Sequence, residues 1–176
     1  MKISSLILTL FCGICFSVSA QVDSFQGKII EYLNYNGTEA VYSETYDAMF
    51  IALKKQFDAP SKVWTELKSD KHESMQDAIR LLSFVYRKHF TEQEISSMTV
   101  FYKSEAGQKF VNGSNNHSEE EREEIETFFN SDLGRKMESK QSELSKGMKE
   151  VTVYWKKDLF AQKMVELLKT DSATRQ

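Results

Sequence analysis

The sequence predicts an all-α fold, a helical bundle of about six to eight helices, and three observations carry that expectation. Apolar residues recur at spacings of three and four beyond the N-terminal leader, while no segment alternates with period two. A twenty-residue stretch, Thr91 to Phe110, returns twenty-seven positions later without a gap as Ser118 to Met137, which predicts an internal helix-turn-helix repeat over 91–110 and 118–137. Glu92 matches Glu119, Glu94 matches Glu121, Phe101 matches Phe128, Ser104 matches Ser131, Gly107 matches Gly134 and Lys109 matches Lys136. Third, both copies open on Ser or Thr with Glu three residues later, the spacing of a helix capping box.

Residues 1–20 hold one lysine, an apolar run from Leu6 to Phe16 and the small residues Val18 and Ala20, the plan of a cleaved secretory signal ending at Ala20. The run is too short for a bilayer span, and the residues before Cys12 and Cys15 fit a lipobox poorly. Both cysteines are expected to leave with the signal, so 21–176 is read as a single helical domain without a disulfide, a thiolate nucleophile or a cysteine metal site. Loss of Lys2 leaves 22 basic against 26 acidic residues, a balance with no basic footprint for nucleic acid. Nothing beyond the leader is apolar for long enough to span a membrane.

Asp23 to Tyr35 reads as the first helix, with Phe25, Ile29, Tyr32 and Leu33 on one side and Gly37 as a left-handed cap after Asn36. Thr38 is placed as the cap of the second, in which Tyr42, Tyr46, Met49, Phe50, Leu53 and Phe57 form one stripe. Pro60, the only proline, opens a short helix carrying Val63, Trp64 and Leu67. Asp70 and Glu73 have capping-box spacing for the next helix, whose stripe runs from Met75 through Ala78, Ile79, Leu82, Val85 and Tyr86 to His89.

In the first copy of the repeat, Thr91 is the expected N-cap and Glu94 its reciprocal partner, with Phe90 and Ile95 flanking the cap as a hydrophobic staple. Ile95, Met98, Phe101 and Tyr102 form the buried face. Ser104 and Glu105 then open a second segment anchored by Ala106, Phe110 and Val111. Gly107 inside it costs about 1 kcal/mol of helix propensity, which implies another backbone close by. Val111 to His117 is a break, after which Ser118 and Glu121, then Ile125, Phe128, Phe129 and Ser131, repeat the scheme. Leu133, Met137, Leu144, Met148, Val151 and Trp155 predict one long C-terminal helix, bent at Gly147 and continued by Leu159, Met164, Val165 and Leu168, with Thr170 to Gln176 frayed.

Residue types for catalysis are scarce. The histidines are His72, His89 and His117; none has the H-E-x-x-H zinc spacing, and His117 beside Glu119 to Glu121 is accounted for by an acidic helix start. Glu92, Glu94, Glu119 and Glu121 are regular across the repeat, but capping and helix-dipole stabilisation explain that spacing. No catalytic residue, metal ligand or cofactor is assigned. Lys109 and Lys136, at the same turn of both copies, have two readings: stems covering apolar surface beside nearby acids, or a duplicated anion or partner site.

The segments FYKSEAGQKF and FFNSDLGRKM, with the lead-in YRKHFTEQE and the continuation MESKQSELSKGM, resemble the bacterial secreted helical family catalogued as domain of unknown function 2059. The family pattern of an aromatic pair, Ser or Thr, Gly and Lys is met by Phe101, Tyr102, Ser104, Gly107 and Lys109, and again by Phe128, Phe129, Ser131, Gly134 and Lys136. The resemblance covers about residues 75–168 and implies an exported, periplasmic helical domain, with release from the cell as the alternative. It implies no activity. The function expected is therefore non-enzymatic binding of an unknown protein or envelope component; a carrier of an apolar ligand and a glutamate-dependent hydrolase of cell-envelope polymers are the alternatives.

Overall fold

The computed structural model describes residues 23–174, so the leader over 1–20 lies outside the described residues. Among those described there are eight α-helices and no strand: α1 Ser24–Tyr35, α2 Thr38–Gln56, α3 Ser61–Leu67, α4 Lys71–Arg87, α5 Glu92–Lys103, α6 Glu105–Val111, α7 Glu119–Asn130 and α8 Asp132–Thr174. None is long and apolar enough to cross a membrane.

Local chemistry sets most of the boundaries. Asp23 accepts from the Gln26 amide at 2.8 Å and caps α1. Gly37, at φ +87°, makes the left-handed turn into α2, a conformation that costs a residue with a Cβ. The cap there is not Thr38, which is the first residue of α2; the Asn36 side chain accepts from the Thr38 amide at 3.1 Å and from its hydroxyl at 2.7 Å. Pro60 stands at the N-cap of α3, one position before the first turn. Asp70 corrects the capping box expected for α4: its side chain makes no cap hydrogen bond, because other partners hold it. Tyr46 Oη donates to one carboxylate oxygen at 2.8 Å and Lys163 Nζ to the other at 2.7 Å.

The apolar cluster draws on helices along the whole described chain. Ile29, Leu33, Tyr46, Phe50, Leu53, Ile79, Leu82, Ile95 and Met98 lose all contact with solvent. Helix α4 is central: α1, α2 and α8 pack against it, and α1 also lies along α5. Removing that much apolar surface from water, at about 25 cal/mol per Å², is the main force available to these helices. Helix α8 docks through Trp155, whose indole donates to the Ser74 carbonyl at 2.9 Å, and through Thr152, whose hydroxyl is 2.7 Å from Tyr42 Oη.

Three features of the C-terminal half differ from expectation. Phe110 is 43% exposed and does not anchor α6. The core face of α8 continues from Leu159 through Lys163 to Leu167, leaving Val165 and Leu168 half-exposed, so a lysine takes a position the apolar pattern had skipped. Helix α8 runs without interruption to Thr174, and Gly147 serves close approach: a Cβ there would lie 2.6 Å from Val85 Cγ1.

Candidate functional site

The repeat is reproduced to the residue. Helices α5 and α7 begin at Glu92 and Glu119 and end at Lys103 and Asn130, and the helices after them begin at Glu105 and Asp132, twenty-seven positions apart in every case. Each copy opens on a complete capping box. The Thr91 hydroxyl accepts from the Glu94 amide at 3.2 Å while the Glu94 carboxylate accepts from the Thr91 amide at 2.7 Å; Ser118 and Glu121 do the same at 3.2 and 2.8 Å. Such a cap contributes about 1 kcal/mol.

Ser104 and Ser131 each end one helix and cap the next. Their backbones are extended, at ψ 163° and 166°, and their hydroxyls accept from the amides of Gly107 and Gly134 at 3.1 Å. The chain folds back so sharply at this serine that a Cβ on Gly107 would strike the Phe101 carbonyl, and one on Gly134 the carbonyls of Phe128 and Phe129. The motif glycine is thus the residue without a side chain that a helix–serine–helix corner requires.

The lysines complete the unit by crossing between copies. Lys109 of the first copy reaches Glu121 of the second at 2.6 Å, and Lys136 of the second reaches Glu94 of the first at 2.7 and 2.8 Å. The cap glutamates therefore bind a backbone amide and a lysine together. Burial raises the Glu94 carboxyl, but hydrogen bonds from Lys136 and Thr91 more than offset it and hold the group below its ordinary value. Lys109 and then the Ser118 amide hold Glu121 down in the same sense. Of the two readings of the lysines, pairing with acids is the one seen, and Lys136 also lies over the Phe90 ring at 5.5 Å. Between the copies the equivalent rings of Phe101 and Phe128 stack at 3.9 Å with their planes 5° apart.

The two copies differ in cover. Helix α1 lies on α5, and Ile95, Met98, Phe101 and Tyr102 are buried. Helix α7 has no fully buried residue; Ile125, Phe128 and Phe129 are half-covered. What remains is an open groove of about 770 Å³ along α5, α7 and the first turn of α8. Val100, 72% exposed, lines it with Phe101, Phe128 and Leu133, and Glu120, Glu123, Glu124 and Asp132 stand at its margin.

The other candidate residues are dispersed. Glu92 pairs with Lys28 at 2.8 Å and Glu119 with Arg122 at 3.6 Å. His72 is exposed, and His89 Nδ1 faces Glu143 at 3.5 Å. His117 Nδ1 is buried without a hydrogen bond, 3.9 Å from Glu121. No three His, Cys, Asp or Glu side chains among the described residues converge to hold a metal ion. Asp70, Glu73, Asp77 and Asp158 line a smaller cavity of about 260 Å³ beside Trp155, a grouping spread over α4 and α8 that spacing along the chain does not reveal.

These features define an all-helical protein built on a duplicated helix–serine–helix unit with reciprocal lysine–glutamate locks. The family model described as an uncharacterized protein conserved in bacteria, DUF2059, matches residues 76–118, so the resemblance holds from α4 through the first copy of the motif. The match ends at Ser118, the first residue of the second copy. No curated protein and no solved structure matches the chain.

Proposed function

We propose that the protein is an exported, non-enzymatic binding domain whose groove along α5 and α7 receives a basic amphipathic helix of a partner protein. One observation carries this reading: the floor of the groove is apolar and its margin acidic. A solvated apolar strip fits the apolar stripe of a helix laid into it, and four carboxylates beside the strip favour lysine or arginine on the helix flanks and select against acidic partners. The glutamates of the hydrolase alternative are engaged otherwise: Glu94 and Glu121 are held in the charged form by caps and lysines, the reverse of what a general acid needs.

Export rests on the sequence of residues 1–20. Expression of the full chain in a bacterial host, followed by intact-mass measurement of the envelope fraction, is expected to give a chain beginning at Gln21; an uncleaved chain retained in the cytoplasm overturns that part. For the groove, fluorescence anisotropy with a labelled Leu/Lys amphipathic helix is expected to show salt-sensitive binding. Val100→Arg, at an exposed position, is expected to weaken it about tenfold. Equal binding of a Leu/Glu helix, or indifference to Val100→Arg, overturns the groove as the site.

A further inference from the structure

A second cavity, of about 520 Å³, opens between α1, α2, α4, α5, α6 and α8, and its chemistry differs from that of the groove. Four helices send a tyrosine to it: Tyr32 from α1, Tyr42 from α2, Tyr86 from α4 and Tyr102 from α5. No Asp, Glu, Lys, Arg or His is among its lining residues. Val41, 60% exposed, and Phe110, 43% exposed, flank the mouth, whereas Tyr32 and Tyr86 lie deep, at 3% and 6%.

Phenols in a core need partners for their hydroxyls, and of the four only Tyr102 lacks one among the described residues. Tyr42 is satisfied by Thr152 at 2.7 Å. The Tyr32 and Tyr86 hydroxyls pair with each other and gather with the side chain of Asn36, whose Oδ1 is already occupied by Thr38, which leaves the amide nitrogen to face them. The acceptor for Tyr86 is the Met148 thioether at 3.8 Å, a weak one. The Tyr102 hydroxyl has no hydrogen bond to any described residue, and burial pushes its pKa up, which keeps it a neutral donor. The cavity thus combines aromatic walls, one spare O–H donor at Tyr102 and no charged lining residue.

We infer that this cavity binds an uncharged, conjugated carbonyl compound, a flat molecule of the quinone or aryl-ketone class, whose oxygen accepts from Tyr102. Aromatic walls favour a flat π-system, the spare Tyr102 donor favours a carbonyl acceptor, and a lining without countercharge rejects ions. The volume suits a small ligand. This site is distinct from the apolar carrier considered from the sequence, because the Tyr102 hydroxyl makes hydrogen-bond acceptance a condition of binding. It is also independent of the groove, since its walls come from other faces of the helices.

Trp155, whose ring lies 5.0 Å from that of Tyr42, supplies the readout, because a bound quinone quenches indole emission. Menadione titrated into the full mature chain is expected to quench saturably. Tyr102→Phe, which keeps the ring and removes only the hydroxyl, is expected to weaken binding about five- to tenfold with unchanged circular dichroism. Val41→Trp at the exposed mouth is expected to block entry without touching the core. 2-Methylnaphthalene, without carbonyls, is expected to bind more weakly and to ignore Tyr102→Phe, and a naphthoquinone sulfonate, which is anionic, is expected not to bind. Absence of saturable quenching by menadione, equal affinity for the hydrocarbon or the sulfonate, or no effect of either variant overturns the inference.

Discussion

Lys163 carries an ammonium group into the core at 2% exposure, held by Asp70 at 2.7 Å and Glu166 at 3.2 Å. A buried cation is costly unless its partners are well placed, and removing it takes one charged partner from Asp70. Asp70 is the pivot of this group: it faces α8 through Lys163 and α2 through Tyr46, and for that reason does not cap its own helix. Burial, then the hydrogen bond to Asp70, push the Tyr46 phenol far above its ordinary pKa, so it serves as a fixed donor. Lys163→Met is expected to cost about 3 kcal/mol in chemical denaturation, and Lys163→Met with Asp70→Asn to recover most of that loss. Equal stability of the single variant and the parent would show that the solvent already reaching Asp70, which is 34% exposed, makes up for the lost ammonium and the pair contributes nothing. Position, rather than residue type, was the signal available in the sequence. Steps of three and four from Leu144 lead through Trp155 and Leu159 to Lys163 and Leu167; apolar character points instead to Val165 and Leu168, which are half-exposed.

At the scale of the element, the helix–serine–helix corner explains why its motif has the composition it has. The serine supplies the hydroxyl for the new helix, the glycine admits the carbonyls of the old one, the aromatic pair fills the angle and the lysine locks the cap of the other copy. Alanine at Gly107 gains about 1 kcal/mol of helix propensity, but its methyl meets backbone, which cannot rotate away. Gly107→Ala and Gly134→Ala are each expected to lower stability by about 2–3 kcal/mol net, read as a fall in the thermal midpoint. Gly113→Ala serves as the contrast. Gly113 has a positive φ of 65°, but a methyl added there would meet nothing within 4 Å, so only the cost of the turn, about 1 kcal/mol, is expected. A thermal midpoint for Gly107→Ala at or above that of Gly113→Ala would refute the steric account. The caps of the repeat, its corners and the repeat itself were legible because each is decided within a few residues; the caps expected at Thr38 and Asp70 were not, since Asn36 and distant partners decide them. The unequal cover of the copies was not: Ile125, Phe128 and Phe129 match the first copy in type, and only the path of α1 decides that α5 is covered and α7 is not.

Over the whole molecule, function depends on contacts between residues far apart in the chain, and these the linear pattern conceals. Tyr32, Tyr42, Tyr86 and Tyr102 each read as ordinary core residues on separate stripes; their convergence on one cavity follows from how α1 packs on α2, α4 and α5, with Met148 of α8 completing the lining. Helix α8 approaches α4 closely at Gly147, against Val85, and that contact makes a test whose sign reverses. In the parent chain a methyl on Gly147 enters within 2.6 Å of Val85 Cγ1. Overpacking of about 1–3 kcal/mol then exceeds the gain of about 1 kcal/mol in helix propensity, so Gly147→Ala is expected to destabilise. Val85→Ala removes the atoms that the methyl strikes and leaves a small void, at a cost of about 2 kcal/mol. In that background Gly147→Ala fills space instead of competing for it, and is expected to stabilise by about 1 kcal/mol. The four denaturation curves of the double-mutant cycle decide the matter. A change of sign with background places α8 against α4 at this contact and separates it from the corners at Gly107 and Gly134, where the obstacle is backbone and no neighbouring truncation can relieve it. The same sign in both backgrounds would mean that α8 shifts to accommodate the methyl, and the Met148 wall of the tyrosine cavity would shift with it.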